Sequence, residues 1–462
     1  MNQTKKPPRR IFAAVAIGAA LIPLNSTMVA VALPNMGEAL QADPGTLTLW
    51  LVTSYLLVNV VLQSPAGRMA DILGKRRTFT LGQSIFGLGA LIAVLAPRLE
   101  TVALARVLMA MGGALIVPTA MALLRNVVSE DLRPRAFSYF GSLLGASAAI
   151  GPLIGGVLTQ HFGWKAIFLV NVPLLLLSQI LVRSENPGWG DDGRTRSPSS
   201  RFDFVGMALL ATGLATGVIA AKSGGSSAQI LVPLSVGSFI LLGWWERRVS
   251  SPLIDPALLR KLPFLLGGTI VGLQNLAMYA LLFQLPFLLR QSTNLQAGEI
   301  GRVLLSMTIG MVLFAPVGGY LAERLGTRST IRTGLTASLL GLLGLLYSAG
   351  GETLWPLIVA LGFTGAGIGI VTGPSQAAAL SRIDSSQSGA GAGILSTMRY
   401  MGGIAGITIV SVVLANTDTT PILDRSQVCF WIYVAVHVVA LAITPGLPSR
   451  RVSETVRAQS GS

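Results

Sequence analysis

GRMADILGKRR, from Gly67 to Arg77, returns later in the chain as GYLAERLGTRS, from Gly319 to Ser329. The two align without a gap: Gly67 with Gly319, Ala70 with Ala322, Asp71 with Glu323, Leu73 with Leu325, Gly74 with Gly326, and Arg76 with Arg328. Each copy joins two long apolar stretches. A repeated half inside a membrane predicts a transporter-like build, with a path between the halves.

Composition supports that setting. Hydrophobic residues make up 52% of the 462-residue chain and charged residues 11%, which excludes an ordinary water-soluble domain. A membrane span needs ~20 mostly apolar residues, and fourteen such stretches lie between residues 11 and 446. The 53 glycines suit helices whose backbones approach closely. A β-barrel is excluded because the apolar runs are continuous, whereas barrel strands alternate over ~10 residues. The expected fold class is therefore an all-α polytopic membrane protein of two six-helix halves plus two additional helices. The divisions fall at 1–183 for the first half, 184–203 for a polar linker and 204–261 for the two extra helices. The second half then covers 262–446 and a tail 447–462. The repeat maps span two onto span ten, so spans seven and eight have no counterpart.

Charge orients the chain. With the N-terminus inside, the even-numbered connections and both tails carry 26 of the 34 basic residues. This is the asymmetry of the positive-inside rule, and it places both termini in the cytoplasm of a cell with the chain in its cell (inner) membrane. It also accounts for the net charge of +15 without nucleic acid, since the cations are spread along one face. The N-terminal run is basic and then apolar like a signal peptide, but it is too long and reads as an uncleaved first span. One cysteine, Cys429, and two histidines, His161 and His437, leave no disulfide framework and no metal site in prospect. No cofactor is expected. No GxxxxGK[ST] occurs, so uphill movement would draw on gradients rather than ATP. No carboxylate pair or Ser/His/Asp set suggests an enzyme.

Six stretches, in order and at the corresponding spans, resemble the motifs of the major facilitator superfamily and its fourteen-span drug:proton antiporter branch. They are LNSTMVAVALP (Leu24–Pro34), GRMADILGKRR, LARVLMAMGGA (Leu104–Ala114), GASAAIGPLIGG (Gly145–Gly156), GWKAIFLVNVP (Gly163–Pro173) and MRYMGGIAG (Met398–Gly406). The resemblance covers nearly the whole chain. It implies that Gly67, Asp71, Gly74 and Arg76, with Glu323, Gly326 and Arg328, latch the cytoplasmic side in one state. It also implies that Gly151, Pro152, Gly155 and Gly156 are the antiporter motif of span five. Their own chemistry agrees with this: Asp71 can accept hydrogen bonds from loop cations, and the glycines bend the helix and offer a face without side chains. Ser147 stands where the family usually has glycine.

Arg106 and Arg399 lie inside spans, where a charge must pair or face water. Counting ~1.5 Å per residue puts Arg106 and Asn25 at one level, and Arg399 near the midplane. Each arginine is either part of the substrate or proton path or a structural clamp. Asn25 is a departure, because the family motif has an aspartate there as proton carrier. A carboxamide cannot exchange a proton at accessible pH. No acidic residue lies deep in a span, and His437 is the only embedded group titrating near neutrality; a lone histidine among apolar neighbours is more often structural. Asn275, a possible repeat mate of Asn25, joins Tyr55 and Tyr400 as candidates for the path, the tyrosines by stacking on a ligand.

The function expected is secondary active export of hydrophobic small molecules by alternating access. The family's proton coupling is put in question by Asn25, whether that residue is natural or introduced. The alternatives are an uncoupled facilitator and a membrane sensor of the same fold that binds without flux. Without a deep counter-charge, neutral amphiphiles or anions near Arg399 suit the interior as well as cations. The partners expected are the substrate, protons, the lipid bilayer and no nucleic acid, with the chain acting as a monomer.

Overall fold

The computed structural model describes residues 9–127, 133–183, 203–223, 225–249, 252–349, 351, 353–383, 388–415 and 421–449. The described elements are helices, and fourteen helical stretches are long and apolar enough to cross a membrane. The first half comprises α1 (Arg9–Leu40), then α2 (Pro44–Leu47), a π turn (Thr48–Thr53) and α3 (Ser54–Leu73) as one span. It continues with α4 (Lys75–Leu95), α5 (Leu99–Val127) and α6 (Arg133–Phe162), then α7 (Ala166–Leu169) with α8 (Asn171–Arg183). The extra pair is α9 (Phe204–Ser223) and α10 (Gly225–Trp245). After the short α11 (Pro256–Leu259), the second half runs through α12 (Leu262–Thr293), α13 (Ala297–Leu325), α14 (Thr327–Ser348), α15 (Trp355–Leu380), α16 (Ser388–Ala415) and α17 (Ile422–Ile443). Nearly all of the expected linker and most of the expected tail lie outside the described residues.

The duplicated sequence folds twice in the same way. Gly74 has φ 90° and Gly326 has φ 84°, backbone that side chains rarely adopt, so each turns the chain into the next helix with no further loop residue. Thr78 and Thr330 cap these turns, each hydroxyl donating to the glycine carbonyl at 3.0 Å. Arg76 Nη2 donates to Val182 O at 2.9 Å, and Arg328 Nε to Leu447 O at 2.9 Å. In both halves the motif arginine thus ties the third helix to the end of the sixth within its own half.

Polar links inside each half repeat the same idea. Gln83 Nε2 donates to Ser178 Oγ at 2.5 Å, which donates to Ala14 O at 2.6 Å, joining α4, α8 and α1. In the second half His437 Nδ1 lies 2.9 Å from Tyr433 O and Nε2 lies 3.0 Å from Ser338 Oγ. A carbonyl only accepts, so Nδ1 carries a proton and donates to it. Tyr433 Oη then donates to Gln284 at 2.7 Å. His437 is buried with both nitrogens engaged between helices.

The extra helices are attached with a clear logic. Leu210, Leu214 and Val218 recur every four residues on α9 and sink into the main apolar core. α9 packs against α3 and α16 together, so it lies over one of the two seams between the halves. Lys222 Nζ holds Thr46 Oγ1 at 2.6 Å at one end. At the other, Asp203 Oδ1 accepts from Gly206 N and Trp245 Nε1, both at 2.8 Å, clipping α9 to α10. Asp43 caps α2 from outside the membrane span; partial burial raises its pKa, but bonds from Thr46 and the charge of Lys222 prevail and hold it below the usual carboxylate range.

Candidate functional site

The other seam, between α6 and α13, is where the glycine motif acts structurally. A Cβ on Gly155 would sit 2.7 Å from Met28 Cα of α1, and one on Gly156 would sit 2.5 Å from Ala297 O of α13. Gly151 faces Thr27 and Leu24 O, and Gly301 of α13 meets Pro152 O. Thr308 Oγ1 donates to Ala149 O at 2.8 Å. Absent side chains let α6 touch both neighbours through backbone, and these contacts close the half of the seam remote from the Gly74 and Gly326 turns.

One ion pair reinforces that closed end. Arg290 Nε lies 3.1 Å from Glu38 Oε1, across 252 residues, so the same position in the first helix of each half meets its mate. The pair is exposed, and such pairs contribute ~0–1 kcal/mol. Glu38→Gln should therefore change unfolding stability in detergent by less than ~1 kcal/mol, measured by chemical denaturation. A loss of several kcal/mol would show that the pair anchors the fold rather than merely closing this end.

Below the closed contact lies a cavity of about 530 Å³. Pro23, Ser26 and Thr27 of α1, Gly145 and Ala148 of α6, Met278 and Tyr279 of α12, and Met307 and Met311 of α13 form much of its wall. Its size and mostly apolar lining suit a small lipophilic molecule, with hydroxyls of Ser26, Thr27, Thr308 and Thr372 for orientation. None of Asn25, Arg106, Asn275, Arg399, Tyr400 or Tyr55 is in this wall. Its methionines and small residues resemble ordinary helix packing in the sequence; the signal that pointed here was the glycine motif of span five.

The expected meeting of Asn25 and Arg106 is real. Arg106 Nη1 donates to Asn25 Oδ1 at 2.9 Å, Nε donates to Leu51 O at 3.0 Å, and the guanidinium lies 3.9 Å from the centre of the Tyr55 ring. Leu51 lies in the π turn, whose wider hydrogen-bond registry sets this stretch apart from a regular helix. Asn25 Nδ2 in turn donates to Ile167 O at 3.2 Å. Ile167 lies in α7, and Asn171 at the start of α8 also donates to Ile167 O and Phe168 O, spanning the break between the two helices. Arg106 is fully buried, with an amide, a carbonyl and an aromatic face in place of a carboxylate.

The remaining candidates separate. Asn275 donates to Val271 O of its own helix at 2.8 Å, so it has no partnership like that of Asn25. Tyr279 lies within electrostatic reach of Tyr55, Tyr400 and Arg399. Arg399 and Tyr400 are half-buried. Of the latch residues, Arg76 and Arg328 engage their own halves, Gly74 and Gly326 form the turns, and Glu323 is exposed. Gly67 and Asp71 are in α3, and their side chains lie outside the described set. No cluster of three or more metal-binding side chains occurs among the described residues.

A profile described as Major Facilitator Superfamily matches residues 15–407 and, in an overlapping placement, 268–460. The chain is 30% identical to the uncharacterized MFS-type transporter YvkA of Bacillus subtilis over 98% of both chains. It is 26% identical to the riboflavin transporter RibZ of Clostridioides difficile over 93% of this chain and 95% of that one. It is also 29% identical to the multidrug resistance protein Stp of Mycobacterium tuberculosis, over 89% of this chain and 78% of that one. With its fourteen membrane helices and duplicated six-helix halves, the chain belongs to the Major Facilitator Superfamily, among its drug-exporter-like members, and is a transporter rather than an enzyme.

Proposed function

We propose that this protein exports hydrophobic small molecules by alternating access, its two halves rocking about the cavity beside α6 and α13. The observation that carries the reading is an apolar cavity between the halves, closed on one side by backbone-to-backbone contact. The basic face, bearing the Gly74 and Gly326 turns, is the cytoplasmic side of the cell membrane by charge asymmetry, and the protein works there as a monomer. Relatives named for multidrug resistance and for riboflavin agree with a small organic cargo. Gly74, Gly326 and the two motif arginines keep each half rigid as it moves, in keeping with the latch the motif implies.

A second reading, downhill passage without proton exchange, is favoured by Asn25. Its amide is engaged at both ends, accepting from Arg106 and donating to Ile167 O, and it has no proton to release.

Ala148→Trp tests the cavity, because it places a bulky ring in the wall. Binding of a lipophilic dye to the purified protein, read by fluorescence polarisation, should weaken at least ~10-fold, about 1.4 kcal/mol. Unchanged binding in a folded variant would place the cargo elsewhere.

A further inference from the structure

The two membrane arginines are not equivalent. Arg106 is fully buried and held by Asn25, Leu51 O and the Tyr55 ring. Arg399 is half-buried in the middle of α16, and among the described residues its guanidinium has no hydrogen-bond or ion-pair partner. An unpaired charge in mid-membrane is costly and is retained where it faces water or a ligand. Among the described residues no acidic side chain lies at that depth: each acidic residue in a described helix lies in the first or last turn, as with Glu38, Glu299 and Glu323.

Two tyrosines lie near Arg399. Tyr400 is next to it in sequence, and Tyr279, within its electrostatic reach, also forms part of the cavity wall. Tyr279 stacks on Phe283 with an interplanar angle of 12°, which fixes its ring. A guanidinium pairs two-pronged with a carboxylate, sulfonate or phosphate, and tyrosine faces receive a flat ring. We infer that the cargo is an aromatic organic anion, its acidic group on Arg399 and its rings against Tyr279 and Tyr400. This rests on the transport reading above and narrows it.

The test compares fluorescein with rhodamine 123, which share a ring system and differ in charge. Equilibrium binding to the purified protein is followed by fluorescence polarisation at one alkaline pH where fluorescein is fully ionised. Fluorescein should bind more tightly than rhodamine 123. Arg399→Gln should weaken fluorescein by about 10-fold or more while leaving rhodamine 123 within about 2-fold. Arg399→Lys, which keeps the charge, should retain an intermediate preference for fluorescein. Tighter binding of rhodamine 123 by the unaltered protein overturns the inference. So does an equal loss of both dyes in Arg399→Gln when Arg399→Lys behaves as the parent chain, because that marks a structural role. Flux is measured separately in proteoliposomes: anion-selective binding without flux leaves the inference standing and removes the transport reading instead.

Discussion

Gly156→Leu should abolish transport, lowering its rate at least ~10-fold, while leaving the protein folded. A Cβ at this position would already sit 2.5 Å from Ala297 O, and a leucine adds three further carbons to a contact made by backbone. Overpacking of this kind costs ~1–3 kcal/mol. Because the contact joins two halves rather than the inside of one, the helices relieve the strain by parting. At ~1.4 kcal/mol per tenfold change in a two-state equilibrium, that cost moves the population away from the closed seam by roughly 5- to 150-fold. Spin labels at Phe162 and Arg302, exposed positions near the closed ends of α6 and α13, report the change. The buried Cys429, replaced by serine, gives a clean background. A longer distance population is expected in Gly156→Leu. An unchanged distance with normal transport would mean that this seam does not open in the working cycle.

Asn25→Asp should give the protein a pH response that the parent chain lacks. A protonated carboxyl reproduces the present bonds, its carbonyl accepting from Arg106 and its hydroxyl donating to Ile167 O. A carboxylate gains attraction to Arg106 but turns a second acceptor toward Ile167 O, where no proton remains between them. Low pH should thus favour the conformation described here, and deprotonation should disfavour it. In inside-out vesicles one pH unit across the membrane drives at most ~10-fold accumulation for one proton exchanged per molecule. The aspartate form should approach that limit, and the asparagine form should only equilibrate. Equal accumulation by both would place coupling at another group.

Much of the fold was legible because membrane spans announce themselves by length and apolarity. The repeat around Gly74 and Gly326 was equally legible, since a positive φ at a turn is a local demand that glycine meets. The level shared by Asn25 and Arg106 followed from helical rise alone. The carbonyls of Leu51 and Ile167 that complete their network did not, because which backbone acceptor on another helix faces a side chain leaves no arithmetic signature in the sequence. The cavity was hidden for a different reason. Gly145, Ala148, Met307 and Met311 become a wall only when α6 and α13 part, and sequence does not say where two touching helices stop touching. Motif resemblance likewise assigned Arg76 and Arg328 to a latch without showing that each reaches the sixth helix of its own half.

Alternating access requires that one cavity be exposed to each side of the membrane in turn. Counterflow tests this most directly, because it needs no energy source and no coupling. Purified protein in proteoliposomes preloaded with unlabelled dye is diluted into a trace of labelled dye, and internal label is followed over time. A transient overshoot of label above equilibrium is expected, and it should disappear in Gly156→Leu. Dye binding without overshoot in the parent protein would contradict alternating access and identify a membrane sensor built on the same fold.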